Sequence, residues 1–312
     1  MSALLYFVMI LTWGFSWIAI KWQHGPVPME VSIFYRFAIA ACLMFIGGWY
    51  LKKLQKTNRR QHLFFALQGL CLFCCNFIAF YSSTSYIASG LTAVVMATAP
   101  IFNAVHGKLF YKTPTSQNFW LGVAVGLTGI SLLFAGDLLQ TDWSVQVLIG
   151  LAYALAGTWC FSIGNMISIR NSRGSIQPFT ATSYAMLYGC IALFSLITFK
   201  GLAFEISISP LYLGSLFYLA VPASVIGFTV YLVLVDRIGA NSAAYLLVIT
   251  PIVALLVSSV YEDYQWTTYS SVGLLSAVLG SFLTQYKKPL FSLFNRTKVT
   301  AEKSEKESVL GN

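Results

Sequence analysis

Arg36 is the single Lys or Arg well inside any long apolar run of the chain. On insertion scales a charge at the centre of a membrane helix costs about 2.5–3.5 kcal/mol, so it needs compensation. Arg36 lies six residues, about 9 Å, from one end of its run. Two uses are open: the guanidinium snorkels to that end, or it pairs with a substrate carboxylate or another helix. Uncharged polar groups sit in neighbouring runs: Asn76, Asn103 and Asn165, with Ser16 and Ser162. An amide in lipid needs partners, so each either bonds another helix or lines a cavity. Aromatic rings crowd the same runs: Trp13, Trp17, Phe80, Tyr81, Trp159, Tyr184, Tyr188, Tyr231 and Tyr245. Rings at run ends are ordinary interface anchors. Trp13 and Trp159 sit near the middle, where they either wedge helices or floor a site with cation–π contact to an amino group.

The missing chemistry narrows the field. No carboxylate lies in the middle of a run, the group on which proton-driven pumps usually depend. His106 is the histidine within a run and the one candidate for coupling; His24 and His62 fall at boundaries. No His–carboxylate or nucleophile–base grouping suggests an enzyme. The six cysteines all lie inside runs, and Cys71, Cys74 and Cys75 have no second pair or histidine group to complete a tetrahedral metal site. They read as reduced packing residues. No metal or cofactor is expected. One guanidinium cannot balance a nucleotide sugar or sugar phosphate, so a neutral or zwitterionic substrate with apolar character fits better.

These residues must be positioned by membrane helices. The chain is 57% hydrophobic and 9% charged, with mean hydropathy +0.73, where a soluble chain carries roughly a quarter charged residues. Ten runs approach the ~20 residues that a span needs: 3–21, 31–50, 63–84, 88–109, 118–135, 147–168, 179–199, 211–231, 241–260 and 269–286. Thr12-Trp13-Gly14-Phe15-Ser16 returns as Thr158-Trp159-Cys160-Phe161-Ser162, and Pro100, Gly122 and Gly129 return as Pro251, Gly273 and Gly280. Five runs fill each period, so the second half crosses in the opposite sense. The expected fold is an all-α integral membrane protein of ten transmembrane helices in a 5+5 inverted-topology repeat, the pattern of secondary transporters. The first repeat spans 1–135, an outer linker 136–146, the second repeat 147–286, and a disordered cytoplasmic tail 287–312. The first run lacks a basic leader and has an internal repeat partner, so it is not read as a signal peptide.

With ten spans, sixteen Lys and Arg fall on one side, from Lys52 to Lys306. The other side holds Lys21 and Lys200 against Glu30, Asp137, Asp142, Glu205, Glu262 and Asp263. The positive-inside rule then places both termini in the cytoplasm. The basic balance reflects topology and anionic lipid contact, with no nucleic-acid partner. Pro100, Pro222 and Pro251 predict bends, and Ser89 and Asn241 predict helix caps. Gly122, Gly126 and Gly129 with Gly273, Ser276 and Gly280 predict close helix packing, within one chain or across a homodimer.

Several motifs in this order resemble the EamA-type branch of the drug/metabolite transporter superfamily. They are Trp13-Gly14 with Ser16 and Lys21, Tyr35-Arg36-Phe37, Ala99-Pro100, Leu109 to Lys112, Thr250-Pro251 and Glu262. The resemblance covers 1–286. One departure is that Tyr111-Lys112 stands where an acidic residue is usual after the fourth span. It implies a central cavity lined by spans one, three, four, six, eight and nine, in a bacterial inner membrane. Members export amino acids, drugs and other metabolites. The expectation is a monomer or homodimer that exports amino acids or similar small molecules by alternating access. An exporter of drugs or other organic metabolites is the alternative, and a non-transporting membrane scaffold is the alternative of another class.

Overall fold

The computed structural model describes residues 2–112, 117–140, 145–238 and 246–285. In chain order the helices are α1 (Ser2–Lys21), α2 (Met29–Tyr50), α3 (Arg59–Gly69), α4 (Asn76–Thr84), α5 (Ser89–Met96), α6 (Ala99–Tyr111) and α7 (Gln117–Gln140). Then follow α8 (Val145–Arg173), α9 (Pro178–Lys200), α10 (Pro210–Tyr218), α11 (Gly227–Ile238), α12 (Leu246–Tyr261) and α13 (Thr268–Gln285). No strand occurs among the described residues. Helices are the expected answer, because lipid leaves backbone amides no partners except their own chain.

Among the described residues, seven helical stretches are long and apolar enough to cross a bilayer: Leu4–Lys21, Met29–Tyr50, Arg59–Thr84, Ser89–Tyr111, Val145–Arg173, Pro178–Lys200 and Pro210–Tyr231. Three shorter apolar helices, Asn118–Leu133, Ile249–Tyr261 and Thr268–Leu283, fall on the other three runs. Helix ends carry local signals. Asn58 and Gln61 form a reciprocal cap on α3, with bonds of 3.0 and 2.8 Å. The Ser209 hydroxyl accepts from Tyr212 N at 3.2 Å at the start of α10.

Two crossings contain a wider turn. Leu70–Cys75 joins α3 to α4 as a π-helix, and Leu219–Ile226 joins α10 to α11 in the same way. Pro222 lies inside the second turn; the first contains the cysteine cluster and no proline. Pro100 behaves differently from a mid-helix kink. The helix breaks at Ala97 and Thr98, and Pro100 sits in the first turn of α6, where its missing amide hydrogen costs nothing. Pro251 lies within α12.

Packing pairs the elements. α1 lies along α12 and touches α11; α8 lies along α5, α6 and α4. α2 packs on α9, and α7 on α13. In the last pair a Cβ on Gly280 would fall 2.3 Å from Gly126 N, and one on Gly129 2.3 Å from Ala277 N. The glycine face is therefore filled inside the chain, and a dimer built on it has no free surface there. The main core gathers Trp17, Phe37, Phe73, Phe80, Tyr81, Met186 and Leu219 from five crossings.

Candidate functional site

Arg36 does not snorkel. It is 4% exposed, in the second turn of α2, and its guanidinium lies over the rings of Phe77 and Phe37 at 4.5 and 5.0 Å. Its Nε donates to Ser224 Oγ at 3.2 Å, and Ser224 Oγ in turn donates to Leu219 O at 2.8 Å, the carbonyl that opens the second π turn. The Tyr81 hydroxyl, on α4, lies within interaction reach of the guanidinium and donates to Gln23 Oε1 at 2.6 Å. Arg36 Nη1 and Gln23 Nε2 are both buried without a hydrogen-bond partner. Leaving such a donor unmade costs about 1–3 kcal/mol, more for a charged group. Next along the core, Ser32 and Tyr212 share a 2.9 Å hydroxyl contact. Asn76 Nδ2 donates to Gly157 O at 3.3 Å, while its Oδ1 is a buried acceptor with no partner.

Trp13 bears on the same π turn from α1. Its indole Nε1 donates to Ala223 O at 3.1 Å, and Gly227 leaves room for the ring. Phe228 and Tyr231 flank it at centroid distances of 6.1 and 5.5 Å. Trp17 packs edge-on against Phe80 at 5.2 Å, inside the core. Ser16 turns its hydroxyl back to Trp13 O at 2.7 Å.

A second polar group lies between α6 and α8. His106 Nδ1 meets Ser162 Oγ at 2.8 Å, and Asn165 Nδ2 donates to Asn103 Oδ1 at 3.4 Å. Trp159 stands edge-on to His106 at 4.4 Å and near Phe102 at 5.7 Å, and it is 46% exposed. Trp13 and Trp159, matched in sequence, thus have different ring neighbours. Tyr245 and Asn241 lie outside the described residues.

Sequence reasoning missed two contributors, Gln23 and Ser224, which complete the Arg36 group. Glu262, read there only as part of a motif, joins Ser89 to Ser258. The Glu262 carboxylate accepts from Ser89 N at 3.0 and 3.2 Å and from the hydroxyls of Ser89 and Ser258 at 2.5 Å each. The start of α5 is thus capped by a carboxylate from beyond α12, where Ser89 itself was the expected cap. A negative group suits the amide-rich helix start. Gln23 sits two residues past the end of α1. The lone cation on α2 was its one available signal.

Helices of bilayer length that sequester a cation, amides and hydroxyls among themselves define a polytopic integral membrane protein. The model of the EamA-like transporter family matches residues 1–135 and 148–286. The chain belongs to that family and is a membrane transporter. Protein PagO of Salmonella typhimurium is 26% identical over 292 residues, covering 90% of this chain and 92% of PagO. The uncharacterized inner membrane transporter YedA of Escherichia coli K12 is 26% identical over 257 residues, covering 81% of this chain and 80% of YedA. One solved crystal structure superposes with a TM-score of 0.62 at 14% identity, over 90% of this chain and 95% of that one, a likeness of fold.

Proposed function

We propose that the protein exports amino acids, or similar small neutral or zwitterionic metabolites, across the bacterial inner membrane by alternating access. The observation that carries the reading is Arg36: a buried guanidinium with a free Nη1 and no acid bound to it. A substrate carboxylate satisfies such a group, and charge-assisted bonds to it are the strong kind. Phe37, Phe77 and Tyr81 lie against it, Trp17 belongs to the same core, and Trp13 with Tyr231 adds aromatic surface in a neighbouring cluster. Asn76 Oδ1 offers an acceptor suited to an amino group. His106, with Ser162, is the candidate for any proton coupling.

The architecture we assign is ten crossings in two inverted halves, 1–135 and 147–286, with both termini cytoplasmic. Support comes from the sequence repeat, the charge bias, and matched packing: α1 with α12 in one half-pairing, α8 with α5 and α6 in the other. In this family, rocking of the two halves about a midplane site is the expected cycle.

The test is uptake by purified protein in proteoliposomes, using a pooled panel of labelled amino acids with and without a pH gradient. Saturable uptake without a gradient supports uniport of the species taken up. Uptake that needs the gradient makes His106 the first residue to replace. No uptake of any amino acid by folded protein removes the amino-acid reading. One feature favours the drug-export alternative: an apolar groove of about 470 Å³ between α1 and α10, lined by Leu11, Phe15, Trp22, Leu211 and Tyr218. Uptake of lipophilic compounds alone, lost when Phe15 and Leu211 are made polar, selects that alternative.

A further inference from the structure

Gln23 lies beyond the end of α1 yet is 2% exposed. The Tyr81 hydroxyl, donating to Oε1 at 2.6 Å, orients the amide and leaves Nε2 as a buried donor without a partner. Arg36 Nη1 is in the same condition, and Tyr81 stands beside both groups. Among the described residues these are the two buried side-chain donors that lack partners. No acid is bound to either. Two open donors thus flank one phenol, the kind of group that an oxyanion satisfies.

We infer that Gln23 is the specificity-determining residue of a carboxylate receptor made with Tyr81 and Arg36. A neutral amide at this position consumes the phenol proton, offers its own N–H to the ligand, and leaves the guanidinium charge for the ligand. A carboxylate at the same position would neutralise Arg36 from within and close the receptor to an anionic ligand. The inference rests on Arg36 as the carboxylate contact, and it does not require amino acids to be the cargo.

The experiment measures binding, using the full purified chain and two probes that differ in one group, phenylacetate and phenylacetamide. Wild type binds phenylacetate at least ~10-fold more tightly, as one charge-assisted contact implies. Gln23→Glu abolishes that preference while melting no lower than wild type. Gln23→Met, which removes the donor without adding charge, reduces the preference by ~3-fold or more. Wild type that does not distinguish the probes overturns the inference. So does Gln23→Glu that keeps the wild-type preference, or, should that variant not fold, Gln23→Met that keeps it in full. If the preference behaves as expected and no amino acid is transported, the receptor stands and the amino-acid proposal falls. If amino acids are transported with unchanged selectivity in Gln23→Glu, the receptor falls and the transport proposal stands.

Discussion

Arg36 holds its charge in the core by laying the guanidinium over Phe77 and Phe37 and giving Nε to Ser224. Both rings and Ser224 are engaged, and Nη1 is left over. Arg36→Gln is expected to weaken carboxylate-bearing substrates by ~10–100-fold and uncharged ones by less than ~3-fold; transport KM in proteoliposomes reads the difference. An equal loss for both would assign Arg36 to folding alone. Arg36→Lys should rescue little, because an ammonium cannot lie on two rings and reach Ser224 together. Burial, and secondarily the charge of Lys21, pushes His24 down to about 4 from its ordinary 6.5. The unfolded chain therefore takes up this proton first. The His24 contribution to stability is complete above about pH 6.5 and is lost as pH falls towards about 4. Melting temperature against pH should decline across that window, and His24→Gln should flatten the decline. Arg36 was legible from its isolation in an apolar run. Gln23 and Ser224 were not, because a boundary amide and a helix hydroxyl become a site only once the turn after α1 folds inward.

Helices α7 and α13 touch backbone to backbone, and the fit is not symmetric. A Cβ on Gly280 would meet Gly126 N at 2.3 Å, whereas one on Gly126 finds its nearest neighbour at 3.8 Å. Gly280→Ala should cost at least ~1–3 kcal/mol of stability as overpacking does, and Gly126→Ala should be near neutral. Thermal unfolding in detergent separates the two. Glu262→Gln should also lower the melting temperature, since the α5 start loses a charge and two hydroxyls lose a charged acceptor. The glycine pairing was legible from small residues three and four apart in both runs. The first π turn was not: Leu70–Cys75 has no Pro or Gly, and an apolar run has the same composition in α or π form, whereas Pro222 marked the place of the second. Pro100 pointed to the right segment, but the break falls two residues earlier, where a proline can open a new helix.

The charge bias along the chain predicts an orientation that labelling can test. A single cysteine at Ser207, on a background without native cysteines, should react with an impermeant thiol reagent added to intact cells. One at Lys56 should react only after permeabilisation. Reversal of the two would invert the assigned topology. The family model matches residues 1–135 and 148–286, so the family and an all-helical membrane protein were readable from sequence motifs and apolar runs, while the pairing of α1 with α12 needed the fold. The two π turns carry a further consequence. The Leu70–Cys75 turn forms without a proline, so an apolar stretch of this chain makes such a turn by itself. Replacing Pro222 with alanine should therefore leave the Leu219–Ile226 turn in place.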